Sequence, residues 1–237
     1  MIEINIKFDR MVLAQICDTL QGLRSRLNIN EISDNEESAH TSLDSLNISN
    51  ILEYAKGNSS GFILYSPRAE YHISYADFGD CSLYVLMDNF QESRNFVLEM
   101  SKIDLLYGYA CLPEEREHRN RVVINKDYGQ HQAWVGRNFR KWLPGLYWIN
   151  IIPENLVKAH NLNIDNLFDF SEYKVEKKFN NYIIECYADP SEWVRQTEKI
   201  DRICSETEGI FSKSEAVLDI VRAKSYMETS EKMGRWS

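Results

Sequence analysis

The chain has 237 residues and a formal charge of -9, is 43% hydrophobic and 27% charged, and is poor in Gly and Pro (10 and 5). That balance suits a globular fold with a sizeable core and excludes collagenous or low-complexity character. An acidic chain lacks the dominant basic face that phosphate neutralisation needs, which argues against nucleic acid as partner. The same charge would steer a basic protein toward it, though in many proteins acidity serves solubility alone.

The N-terminus, MIEINIKFDR, shows no basic segment leading into an apolar one, and no apolar run approaches the roughly 20 residues that cross a bilayer. The expectation is a soluble cytoplasmic protein. Cys17, Cys81, Cys111, Cys186 and Cys204 are widely spaced without a CxxC pair, so reduced, structural thiols are expected.

Taken in chain order, IEINIKF alternates Ile2, Ile4, Ile6 and Phe8 and reads as a half-buried strand. Asp9 is placed to cap a helix in which Val12, Leu13, Ile16, Leu20, Leu23 and Leu27 recur at three and four. Residues 28–50 are polar and read as an irregular loop. From Leu27 to Ala55 the chain holds Glu31, Asp34, Glu36, Glu37, Asp44 and Glu53 and no Lys or Arg. A short helix ending at Gly57 follows.

Strands are expected over 62–66, 70–78 and 81–88, joined by short turns that favour antiparallel hairpins. FQESRNFVLEMSKI reads as an amphipathic helix and DLLYGYACL as a strand stopped by Pro113. EEREHRNR is charged throughout, a short helix or exposed turn, and VVINKDYGQHQAWVGRNF a loop with a short strand. LYWINII, apolar on both faces, belongs inside a covered sheet. Then come a short helix from Glu154, a hairpin around Asn180 and Asn181, a helix from Asp189-Pro190 to about Glu208, and a last helix near 212–231. The order points to an α+β fold: antiparallel sheet or sheets with helices mainly on one face. One globular domain over 1–237 is expected, with 1–113 and 114–237 as possible related halves.

Motifs for chemistry are sparse. Cys111, His118 and His131 match no standard zinc spacing, and there is no GxGxxG, P-loop or GxSxG. No metal, cofactor or catalytic residue is assigned. His118 with Arg116, Arg119 and Arg121 could serve acid–base chemistry; the plainer reading is a solvated helix face with Glu–Arg pairs. Between Glu114 and Trp142 there are seven bases and four acids, so the molecule is electrically polar. Arg137, Arg140 and Lys141 would contact a partner or anion, or simply solvate the loop and cover Trp134 and Trp142. In the turn that follows, Pro144 sets the first corner and Gly145 the second.

VGRNFRKWLPGLYWINIIP, with HRNR before it, resembles the bacterial immunity proteins that neutralise polymorphic toxins, in particular the immunity-protein-52 group found near type VI secretion genes. Pro144, Gly145, Tyr147, Trp148 and Asn150 occupy that family's strand pattern, within a resemblance spanning 114–153. It implies a non-catalytic binder of a cognate toxin, often suspected to be a nuclease and therefore basic. On that basis the toxin is expected at Glu31, Asp34, Glu36, Glu37 and Asp44, with Asp77 and Asp80 as a secondary choice, and the Pro-Gly strand as scaffold. Two rivals remain: an adaptor or chaperone for a secreted effector, and an enzyme using His118, Arg137 and Arg140 on a phosphorylated substrate.

Overall fold

The alternating isoleucines of the N-terminus form β1 (Ile2–Asp9), and Ile2, Ile4, Ile6 and Phe8 are all buried. These coordinates are a computed structural model that describes residues 1–9, 12–43, 51, 53, 60–75, 80–125, 129–132, 145–159, 161, 164, 174–206 and 222–234. Helix α1 (Leu13–Leu27) buries Ile16, Leu20, Leu23 and Leu27, the three-and-four stripe. Its N-cap is Val12, with no side-chain cap bond. Asp9, expected as the cap, instead ends β1, because the chain needs further residues to turn from strand to helix. Asn28 closes the helix at φ 53 and donates its backbone N–H to Arg24 O; Asn tolerates this left-handed position.

The polar segment expected to be irregular carries two short strands, β2 (Glu31–Ser33) and β3 (Thr41–Ser42). Neither is long enough to show an alternation in sequence. β4 (Gly61–Ser66), β5 (Ala69–Tyr75) and β6 (Asp80–Met87) follow as antiparallel neighbours. Gly61 has φ +145, and a Cβ there would lie 2.2 Å from Ile73 O, so only glycine fits. Helix α2 (Phe90–Met100) is capped by the Asn89 side chain, which accepts from Glu92 N–H. β7 (Tyr107–Cys111) and helix α3 (Pro113–Asn120) come next, then β8 (Arg121–Asn125) and β9 (Gly129–Gln132), a hairpin where a loop with one short strand was expected.

β10 (Ile149–Pro153) is shorter than LYWINII, though Leu146, Tyr147 and Trp148 ahead of it are also buried. Helix α4 (Glu154–Ala159), the hairpin β11 (Lys174–Lys178) and β12 (Asn181–Glu185), and helix α5 (Trp193–Glu206) complete the C-terminal part, with Asp189 capping the turn into α5. Helix α6 (Tyr226–Gly234) is the last described element. Of the helix expected near 212–231, residues 212–221 lie outside the described residues, 222–225 are not helical, and the described helix begins only at Tyr226.

Among the described residues ten strands form one antiparallel sheet in the order β11-β12-β10-β7-β1-β6-β5-β4-β2-β3, and the fold is α+β. β10 pairs with β7, so strands from before and after residue 113 share that sheet. One face is covered by α1 and α2; Tyr71 of β5 meets Phe96 of α2 at 5.6 Å between ring centres. On the opposite face α3 reaches Glu3 of β1 through Arg116. The register matches Asp9 with Asp80, Ser74 with Gly61, Ile63 with Ser33, Lys7 with Tyr107, and Pro153 with Asn181. One end of the sheet therefore gathers the turn after Ser33, the start of β4, Asp80, Asp9, the segment before Tyr107, and the β10–β12 end.

Candidate partner-binding surface

The acidic turn begins where β2 stops. The Ser33 hydroxyl donates to Asn35 O (2.8 Å), and Asn35 Oδ1 accepts from Glu37 N–H (2.9 Å). Such short side-chain bonds replace ladder bonds and bend the chain. Asp34, Glu36 and Glu37 are left exposed, and they line an open cleft of about 480 Å³ whose other wall is Gly61, Ile63, His72 and Ser74. Three of the acids singled out from sequence thus share one site.

His72 was not singled out from sequence, yet it is central here. Its Nε2 lies 3.2 Å from Glu70 and its Nδ1 3.9 Å from Glu36. Across the strands its ring meets Tyr84 edge-on at 5.7 Å, and the Tyr84 hydroxyl donates to Glu3 (3.0 Å). Burial and the Glu3 carboxylate push the Tyr84 phenol well above its ordinary value, so it stays a neutral donor. The acidic cleft is thereby coupled through a tyrosine to the Glu3–Arg116 pair. An open pocket of carboxylates backed by an imidazole accepts charge-assisted hydrogen bonds from an ammonium or guanidinium.

The remaining acids are placed differently. Glu31 does not line the cleft: it lies 2.8 Å from His40 Nδ1, and that imidazole stacks on Tyr65 at 4.1 Å. Asp80 is exposed at the start of β6, at the same end of the sheet. Asp44 and Asp77 lie outside the described residues, as do Pro144, Arg137, Arg140 and Lys141.

The described part of the Pro-Gly motif is a buried corner. Gly145 has φ +152, and its carbonyl accepts from the Tyr107 hydroxyl (3.0 Å). Asn150 Oδ1 accepts from Tyr147 N–H (2.9 Å) while its Nδ2 donates to Tyr147 O (2.8 Å), which closes the chain ahead of β10. Tyr147 stacks on Tyr109 at 4.2 Å, and Trp148 is 1% exposed.

Helix α3 departs from the solvated face expected of EEREHRNR. Glu115 and Arg119 are 0% and 1% exposed; Arg119 Nε donates to Glu115 (2.8 Å) and its Nη1 to Asp201 (3.0 Å). The i,i+4 pair exists, but α5 packs beside it and takes it out of water. Burial raises the Glu115 carboxyl above its ordinary value despite Arg119. His118 is half-exposed, 4.0 Å from Asp201. Cys17, Cys81, Cys111 and Cys186 are buried, and burial pushes the Cys17 thiol up to about 12. Among the described residues no group of three or more His, Cys, Asp or Glu side chains is arranged to hold a metal ion, and no helix is long and apolar enough to cross a membrane.

No protein-family model matches the chain, and no curated protein matches its sequence. Among solved structures, the Pseudomonas aeruginosa T6SS (type VI secretion system) protein PA0821 is similar over 99% of this chain and 81% of its own, with a TM-score of 0.52 and 10% sequence identity. At that identity the likeness is one of fold.

Proposed function

We propose that the protein is an immunity protein of a type VI secretion system, binding a cognate basic toxin stoichiometrically without catalysis of its own. The observation that carries this reading is the gathering of Asp34, Glu36 and Glu37 on an open cleft beside His72. Two further points support it: a fold similar to that of a T6SS protein, and the Pro-Gly-aromatic pattern of residues 144–150. A toxin that handles nucleic acid must present a basic surface, and clustered carboxylates offer that surface a competing set of anions.

The test is co-expression with the neighbouring gene, followed by purification of the pair. Survival that depends on this protein, with a stable one-to-one complex, is the expected result. A complex that leaves the partner's toxicity intact would favour an adaptor of a secreted effector. Protection without any complex would overturn stoichiometric inhibition.

A further inference from the structure

A second cleft, of about 420 Å³, opens at the same end of the sheet, where β1, β7, β10 and β12 finish or begin. Val12, Leu105 and Leu106 give it an apolar wall; Asp9, Asp104, Glu154 and Lys158 are its charged lining. Glu154 already holds Lys158 (2.9 Å) and Lys177 (2.8 Å). Asp104 is exposed and accepts from the neutral amide of Asn180 (3.3 Å), so that hydrogen bond does not neutralise its charge.

One residue of the lining carries an unused acceptor. Asn181 lines the cleft and is 1% exposed. Its Nδ2 donates to Ser101 O (2.7 Å) and Ile103 O (3.3 Å), which fixes the amide, and its Oδ1 is buried with no hydrogen-bond partner among the described residues. Such an acceptor is costly unless a donor reaches it. Phe179, at the adjoining hairpin tip, is 66% exposed and holds φ 54, a conformation costly for a bulky residue.

We propose that this cleft receives a lysine or arginine side chain of a basic protein partner. The aliphatic stem lies against Val12, Leu105 and Leu106, and the cationic head bonds Asp104 and the Asn181 carbonyl. Phe179 is the aromatic contact beside the entrance, in keeping with the aromatic enrichment of binding surfaces. The proposal rests on the toxin-binding reading and adds a second contact to it. From β10 to β4 is five strand positions, about 24 Å at roughly 4.8 Å each. A standard interface covers about 800 Å² per partner, a patch roughly 32 Å across. One partner of ordinary size spans both clefts.

The experiment titrates the isotope-labelled full-length protein with tetra-arginine peptide, followed by NMR. Saturable shifts are expected in the Asn181 side-chain amide and the backbone amides of 104–106. Asp104→Asn keeps an acceptor for Asn180 and removes the charge; it should weaken binding about tenfold with unchanged melting temperature. Glu231→Lys, a larger charge change elsewhere, should leave the 104–106 shifts in place. Shifts confined to the 34–37 cleft, or equal affinity for Asp104→Asn, would overturn the assignment. With the neighbouring gene's product as ligand, equally tight complexes of wild type and Asp104→Asn would overturn the cleft and leave the toxin reading standing. Peptide binding at the cleft by a protein that neither binds nor protects against that product would do the reverse.

Discussion

Asn150 applies both ends of its amide to Tyr147, in a site closed to water. Replacing it by leucine would strand a buried N–H and a buried carbonyl. Asn150→Leu is expected to cost about 2–4 kcal/mol in urea unfolding, with the slope unchanged. Phe179 should behave in the opposite way. It occupies a left-handed position at a hairpin tip and is largely exposed, so Phe179→Asn should hold or raise stability, by up to about 1 kcal/mol, because Asn tolerates that backbone. The same change should weaken partner binding. A melt and an affinity measurement on one variant separate the two effects. The asparagine within an apolar run was visible in the chain as an oddity, but what it bonds was not, since Tyr107 and Ile184 approach it from other strands.

At the scale of elements, α3 is attached through a buried pair rather than an apolar stripe. Glu115→Leu leaves Arg119 desolvated with part of its partner set gone, and should cost about 3–5 kcal/mol. The double variant Glu115→Leu, Arg119→Met should recover most of that loss, because a well-packed apolar pair avoids the desolvation penalty. Denaturant melts of the three proteins decide it. The pair also has a pH signature. The folded Glu115 carboxyl lies above its ordinary 4.5, so its contribution is full below 4.5 and is lost as pH rises through the folded value. Wild type should lose stability relative to Glu115→Gln over that rise. The β11–β12 hairpin has the opposite sign. Lys174 and Lys178 hold Glu176 down to about 2, so its support is present above 4.5 and fades as pH falls toward 2. Glu176 is about a third exposed, and solvent screening keeps that second effect small. Hydrogen exchange across 174–185 at pH 5 and pH 3 would show faster opening at the lower value.

For the whole molecule, the distribution of charge matters more than its total. The strand register brings Asp9, Asp34, Glu36, Glu37, Asp80 and Asp104 to one end of a ten-stranded sheet. An acidic edge of this kind accelerates encounter with a basic partner and loses that advantage in salt. Reversing Asp34, Glu36 and Glu37 to lysine should lower the association rate about tenfold or more near 0.05 M salt, and far less near 0.5 M. Stopped-flow association at the two salt concentrations checks it. An unchanged rate at low salt would remove the acidic turn from the interface.

What could be read along the chain was what repeats locally. The three-and-four stripe of α1, the alternation of β1, the hairpin turns and the α+β class each depend on neighbours a few residues apart, and these periods mark which face seeks the core. The acidic run 31–44 was equally visible, as composition. Its geometry was not. His72 meets Glu36 only because β5 lies beside β4 and β4 beside β2, and no spacing in the chain encodes that order. Likewise EEREHRNR is as polar as a solvated helix should be, and the buried Arg119 within it meets Asp201 of α5, about eighty residues later. Side-chain period decides which elements form. Non-local pairing and desolvation decide which charges meet, and so where the proposed partner surface lies.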